Sequence, residues 1–163
     1  MLEVSRDTLN MARQTVHGEG WYSASRAARL AGLTAVMVNY LCRTEIVEPS
    51  CACKRGHGLA RHYSFGDVVA LRLVARLSAY GVSPSRLKED LRALRQHHPD
   101  ITLTSLPASH IVTDGKRLYL RKEGDTLEQI LDGQLAFAFV VELPKLRDEV
   151  ATELRLEAGK RVA

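Results

Sequence analysis

The spacing of apolar residues near position 30 predicts a short helix over residues 23–31. Ser23 is a suitable N-cap, and Gly32 can adopt the left-handed conformation that commonly ends a helix. Small side chains recur at helical spacing on one face of this segment: Ala24, Ala27, Ala28 and Ala31. Because the side chains on this face are small, another helix can approach it closely. Trp21, just before the helix, is expected in the core.

A second helix is predicted over residues 34–43, with Thr34 as its N-cap and Val38 and Leu41 on its buried stripe. The face presented to a partner would consist of Ala35, Met37, Asn39, Tyr40 and Arg43. Two helices joined by a tight glycine turn are the pattern of a helix-turn-helix motif. The alternative is a plain helical hairpin within a core.

The helical period ends after residue 43, and the following segment has the features of a β-hairpin. Ile46 and Val47 are predicted to form its first strand, and residues 61–63 its return strand. The tip between them, SCACKRGHGLA, carries two glycines and several cationic side chains. These features predict a wing, which is a two-stranded ribbon with positive charge at its end.

Two longer helices are predicted after the wing. The first, VVALRLVARLSAY, is capped by Asp67 and closes at Gly81, and its two apolar faces indicate a position at the centre of the core. Ser83 followed by Pro84 is a strong start signal for the second, which should end near His97. The buried stripe of that helix consists of Leu87, Leu91 and Leu94.

The character of the sequence changes near Pro99. Two alternating runs around Asp114 and Gly115 predict a hairpin with a two-residue type I′ turn. A capping box predicts a short helix over residues 126–133, and the apolar run 136–143 predicts a buried strand.

A last helix is predicted from Pro144 onward. Its apolar positions, four residues apart, are Leu146, Val150 and Leu154. The order of all these elements predicts the α+β class. We expect residues 1–98 to form a winged helix-turn-helix domain, and residues 99–163 a small module made of a hairpin, a helix, a strand and a helix.

Charge is distributed unevenly along the 163 residues. Residues 1–98 carry 14 basic and 8 acidic side chains, whereas residues 99–163 carry 9 basic and 11 acidic ones. No carboxylate occurs in segment 50–66, which holds several cationic side chains. A basic first half with an acid-free loop is typical of a surface that binds a polyanion.

The order of helix, turn, helix, basic wing, helix and helix over residues 21–97 resembles the DNA-binding domain of the MerR family of transcription regulators. The matching positions are Tyr22, Ser23, residues 27–33 (AARLAGL), Thr34, residues 47–49, residues 61–64 (RHYS), Asp67, Val68, Leu71, Leu77, residues 81–83 and Leu87. Two features differ from the family pattern. Residues 39–41 are Asn-Tyr-Leu where the family has Arg-Tyr-Tyr, and a mixed module takes the place of a long dimerisation helix.

The resemblance implies that the second helix enters the major groove and that the wing lies along the DNA backbone. The candidate DNA-binding residues are Ser25, Arg26, Arg29, Thr34, Ala35, Asn39, Tyr40, Arg43, Lys54, Arg55, His57, Arg61, His62 and Tyr63. The chemistry agrees, because asparagine can make a bidentate contact with adenine, while basic side chains neutralise phosphates without reading sequence. The alternative for any single arginine is an ordinary solvated surface charge.

Cys51, Cys53, His57 and His62 offer thiolate and imidazole groups, so zinc binding is an alternative for this segment. Cys-x-Cys is a poor spacing for structural zinc, because alternate residues of a strand point to opposite faces. We therefore expect no metal, and we assign the two histidines to phosphate contacts. No catalytic serine–histidine–carboxylate grouping, phosphate-binding glycine loop or carboxylate pair stands out, so we expect neither an enzyme nor a cofactor.

The expected partners are double-stranded DNA and a second copy of the chain. The apolar strands and last helix of residues 100–160 exceed what a small module buries alone, which predicts a homodimer that binds an inverted repeat. The favoured function is a sequence-specific transcriptional repressor. One alternative is an antitoxin whose C-terminal half binds a toxin while its helix-turn-helix regulates the operon. Another is a phage-type accessory factor that bends DNA.

The sequence predicts a cytoplasmic protein with no membrane partner. No apolar run approaches the roughly 20 residues needed to cross a bilayer, and the N-terminus lacks the basic-then-apolar pattern of a signal peptide. The three cysteines are accordingly expected to be free thiols.

Overall fold

The computed structural model describes residues 20–51, 61–97, 99, 102–104, 110–113, 118–121 and 139–162. In chain order, the elements within these ranges are β1 (Tyr22–Ser23), α1 (Ala24–Ala31), α2 (Ala35–Arg43), β2 (His62–Tyr63), α3 (Phe65–Ala79), α4 (Pro84–His97), β3 (His110–Thr113), β4 (Leu118–Arg121), β5 (Phe139–Glu142) and α5 (Leu143–Val162). Helices and two small antiparallel sheets together agree with the α+β class. The predicted wing tip and the predicted helix over residues 126–133 lie outside the described residues.

The first two helices have the caps and the turn that the sequence predicts. The Ser23 hydroxyl accepts a hydrogen bond from the Arg26 amide at 3.3 Å, and the Thr34 hydroxyl accepts one from the Met37 amide at 3.1 Å. Gly32 has a φ of 71°, and its amide donates to the carbonyl groups that end α1. Because only glycine adopts this conformation without strain, it fixes the tight connection between α1 and α2.

The segment after α2 differs from the prediction of a first wing strand. Ile46 and Val47 form no strand, and their amides donate instead to the Leu41 carbonyl group at 3.0 and 3.3 Å. Both side chains are buried, so this apolar pair closes the end of α2 against the core. Strand β2 pairs instead with Tyr22 and Ser23 of β1. Cys51 forms an isolated antiparallel bridge with His62.

Helix α3 begins at Phe65, two residues before the predicted cap at Asp67. Ser64 is the N-cap, and Asp67 completes a capping box by accepting a hydrogen bond from the Ser64 amide at 2.8 Å. The Asp67 carboxylate is almost fully buried, and it also accepts hydrogen bonds from the amide and hydroxyl of Ser50, both at 2.8 Å. This carboxylate therefore connects Ser50 with Ser64, the residues on either side of the predicted wing tip and its return strand.

The position of α3 at the centre of the core is confirmed. Its fully or almost fully buried apolar residues are Val68, Val69, Ala70, Leu71, Leu73, Val74 and Leu77. Helix α4 starts after Ser83, whose hydroxyl accepts from the Arg86 amide, and it ends at His97 as predicted. Leu87 and Leu91 of α4 join the same core.

The three-stranded sheet has the order β4-β3-β5, and all neighbouring strands are antiparallel. The predicted hairpin is present, with Thr113 paired with Leu118, and its predicted type I′ turn at Asp114 and Gly115 lies outside the described residues. Strand β5 is buried on one side only, because Val141 is buried while Val140 is 40% exposed. The predicted buried strand is therefore present as a strand with one exposed face, and residues 136–138 of the apolar run lie outside the described residues.

Helix α5 follows β5 directly and packs on α3 and α1. Leu146 and Val150 lie in the same hydrophobic cluster as the helices of the first region, together with Ile111 and Val141. The apolar stripe that the sequence suggests for dimerisation is thus used within the chain. The proposed boundary between residues 98 and 99 remains a prediction, although the apolar residues on both sides of it share one core.

Candidate nucleic-acid interface

The exposed face of α2 is formed by Ala35, Val36, Asn39, Tyr40 and Arg43. Val38 and Leu41 are fully buried and hold the opposite side of the helix against α1 and the core. Met37, expected on the exposed face, instead packs partly against the core.

Val36 is 75% exposed, and the sequence prediction missed it. The spacing of 36, 39, 40 and 43 is helical and could have identified this residue. The sequence did not indicate that Val36 is exposed, because an apolar valine is ordinarily assigned to the buried side of a helix.

Asn39 of α2 meets Arg61, which directly precedes β2. The Arg61 Nη1 atom donates to Asn39 Oδ1 at 3.1 Å, and both residues are exposed. Strand β2 is fixed in turn by its pairing with β1 and by the fully buried Tyr63 ring. Two candidate residues that are 22 positions apart in the sequence therefore form one polar group on the surface.

Tyr63 cannot contact DNA in this arrangement, because its side chain is fully buried. Burial, followed by the neighbouring Cys42, raises the pKa of Tyr63 to about 12, so its hydroxyl stays protonated. His62 is half-buried. Trp21, expected in the core, is 44% exposed, because the chain turns inward only at Tyr22.

The remaining candidate DNA-binding residues near α1 and α2 differ in whether their side chains are free to contact a partner. Ser25 is exposed, and its hydroxyl lies 3.2 Å from that of Ser23. The Thr34 hydroxyl is already used to cap α2. Lys54, Arg55 and His57, the candidates of the predicted wing tip, lie outside the described residues.

Arg26 and Arg29 extend from α1 to one carboxylate on α5. Arg26 Nε donates to Glu157 Oε2 at 3.1 Å, while Arg29 Nη2 and Nε donate to Glu157 Oε1 at 2.8 and 3.0 Å. The Arg26 guanidinium also lies over the Tyr22 ring, with its central carbon 5.1 Å from the ring centroid. Burial opposes ionisation of Glu157, but the hydrogen bonds from Arg29 and Arg26 outweigh it and lower the pKa of this carboxyl group.

Two further carboxylates of α5 face arginines of α3. Glu149 pairs with Arg76 at 2.7 Å and with Arg72 at 3.5 Å, and Glu153 pairs with Arg72 at 3.1 Å. Arg72 also donates to the Leu30 carbonyl group at the end of α1 at 3.0 Å. Burial of Glu149 is outweighed by its contacts with Arg76 and Arg72, so the pKa of Glu149 is lowered.

The acidic row of Glu149, Glu153 and Glu157 was not predicted. Its signal is present in the sequence, because the three residues are four positions apart on one helical face. Their partners, however, come from helices more than 70 residues away, and no local pattern identifies such pairs.

The described part of the chain contains no group of three or more His, Cys, Asp or Glu residues suited to a metal ion. Cys53 and His57, which the zinc alternative requires, lie outside that part. No helix within the described ranges has both the length and the apolar character needed to span a membrane.

The chain is similar to proteins described as uncharacterized HTH-type transcriptional regulators from Mycobacterium bovis and from two strains of Mycobacterium tuberculosis. Each is 31% identical over 124 residues, which are 74% of this chain and 52% of the relative. The chain thus spans about half the length of these curated relatives. No family model matches the sequence. The names of these relatives give the helix-turn-helix type in general and no narrower family.

Proposed function

We propose that this chain is a DNA-binding transcription regulator that inserts α2 into the major groove of double-stranded DNA. The observation that carries the proposal is the exposed face of α2, which holds Asn39, Tyr40 and Arg43 and which Arg61 joins through its hydrogen bond to Asn39. A helix at the surface with amide, phenol and guanidinium groups has the size and the donors that direct recognition of base edges requires. The names of the mycobacterial relatives are consistent with this function.

The proposed roles follow from position on α2. Residues at the N-terminal end of a recognition helix contact base edges, which suits Ala35. Asn39 lies at the middle of α2, and its amide is suited to a bidentate contact with adenine. Arg43 at the C-terminal end and Arg61 beside the helix would contact phosphates, since guanidinium groups bind phosphate oxygens strongly. Lys54, Arg55 and His57 would extend these contacts along the backbone if the segment forms a wing of the MerR type.

A homodimer that represses transcription is the finer form of this proposal. Its interface would have to use surfaces other than the stripe of Leu146 and Val150, which is buried within the chain. Val140 and Leu156 are the large apolar side chains of the C-terminal region that are exposed among the described residues. An inverted repeat in the bound DNA would agree with two copies of α2 related by a twofold axis.

The test begins with selection of bound fragments from a random DNA library by the purified chain. Arg43→Ala should weaken binding to the selected sequence about fivefold, because one phosphate contact is lost, and the salt dependence should become shallower. Arg92→Ala is the matched control, since Arg92 is an exposed arginine on α4, away from α2. A library that shows no enrichment at low ionic strength would overturn the proposal, as would equal effects of the two substitutions.

A further inference from the structure

Glu157 of α5 binds two arginines of the first helix of the helix-turn-helix. Each of its carboxylate oxygens accepts from a different guanidinium group, Oε2 from Arg26 and Oε1 from Arg29. The Arg29 side chain nevertheless remains 66% exposed, so its remaining donors face solvent. The two arginines form a site for an anion with two oxygen atoms, and an internal carboxylate occupies it.

A DNA phosphate has the same requirements as this carboxylate. When the second helix of a helix-turn-helix lies in the major groove, the first helix crosses the sugar–phosphate backbone. Guanidinium groups bind phosphate and carboxylate oxygens with the same planar geometry. We infer that Glu157 occupies the place of a DNA phosphate on Arg26 and Arg29, so that the end of α5 competes with DNA. This inference rests on the proposed function.

The packing of α5 allows such an exchange at its C-terminal end. Leu143, Leu146 and Val150 are buried, but none of residues 151–160 is buried, and Leu156 is 61% exposed. The last turns are therefore held by the partly buried Leu154 and by ion pairs. Partly exposed ion pairs are weak and screened by salt, so a neighbouring row of phosphates can displace them.

The competition makes a quantitative prediction for Glu157→Gln. Removal of the internal anion frees two guanidinium groups for phosphate, so the variant should bind a short duplex of mixed sequence about fivefold more tightly than the wild type. Its affinity should also fall more steeply with salt, with a logarithmic slope larger by about one. Fluorescence anisotropy with a labelled duplex at several salt concentrations measures both quantities.

Glu149→Gln is the matched control. It removes the same charge from the same helix, but its partners are Arg72 and Arg76 of α3, which the proposed interface does not use. Its affinity for the duplex should equal that of the wild type. Glu153→Gln, which removes a partner of Arg72, is a second control if Glu149→Gln does not fold as judged by circular dichroism.

A third variant tests the mechanism. Arg29→Ala added to Glu157→Gln should abolish most of the gain, because the freed group is then missing. Equal gains for Glu157→Gln and the control would overturn the inference, since net charge alone would explain them. An unchanged affinity for Glu157→Gln would overturn it as well. If neither the wild type nor any variant binds duplex at low salt, the proposed function fails, and this result is distinguishable from a measurable affinity that Glu157→Gln leaves unchanged.

Discussion

The two halves of α5 are held against α1 and α3 by different forces. The first half, up to residue 150, buries Leu143, Leu146 and Val150 in the common core. None of residues 151–160 in the second half is buried, and this part is fixed mainly by carboxylates that face arginines. Apolar burial is insensitive to salt and pH, whereas partly exposed ion pairs respond to both. One continuous helix thus has a first half that is packed in the core and a second half whose contacts weaken at high salt or low pH.

The largest effect should come from the anchored half. Leu146→Ala removes a 2% exposed side chain from the core and should lower the free energy of unfolding by about 3 kcal/mol, through lost burial and a residual cavity. Urea denaturation followed by circular dichroism measures this value. Leu156→Ala is the control on the loosely held half, and because that residue is 61% exposed, its cost should stay below about 0.5 kcal/mol. Comparable losses in the two variants would contradict the distinction.

A smaller effect is expected where the two halves meet. Glu149→Gln breaks the contact with Arg76, whose side chain is 41% exposed, so the cost should be about 0.5–1 kcal/mol. High salt should reduce the difference from the wild type, because screening weakens the pair that the variant lacks. The loss for Leu146→Ala should not shrink in this way. Denaturation at low and high salt separates the two behaviours, and a salt-independent loss for Glu149→Gln would show that packing dominates there.

The smallest effect concerns pH. The pKa values of Glu149 and Glu157 are lowered from the ordinary glutamate value of 4.5, so the unfolded chain binds more protons than the folded chain in the window just below that value. The stabilisation from these groups is complete above pH 4.5 and is lost as the pH falls through the lowered pKa values. The melting temperatures of the wild type and of a Glu149→Gln/Glu157→Gln variant should therefore converge on acidification. A constant gap between them would argue against this linkage.

Local signals in the sequence were sufficient for the helix-turn-helix. Ser23, Gly32 and Thr34 act as predicted because caps and tight turns depend on hydrogen bonds between residues at most five apart. The start of α4 after Ser83 was predictable for the same reason. The candidate face of α2 was largely correct, because a helix only nine residues long has few alternatives for its buried side.

Features that depend on distant partners were not predictable. The β-branched side chains of Ile46 and Val47 favour a strand. In the structure their amides instead donate to the Leu41 carbonyl group, and both side chains are buried at the end of α2. The burial of Tyr63 and the exposure of Trp21 depend on the pairing of β1 with β2, which joins segments 40 residues apart. The contacts of Glu157 with Arg26 and Arg29 depend on where α5 packs, and no single segment of sequence contains that information.

The buried Asp67 has a consequence for where this chain tolerates changes in its sequence. Its carboxylate holds Ser50 and Ser64 together, so the connection between them is closed at its base by α3 itself. Because the closure entropy of a loop rises only slowly with its length, residues inserted between Cys51 and Arg61, and therefore outside β2 and its buried Tyr63, should leave the helices in place. That interval is where variation can accumulate without loss of the scaffold, and Asp67→Ala should remove this tolerance.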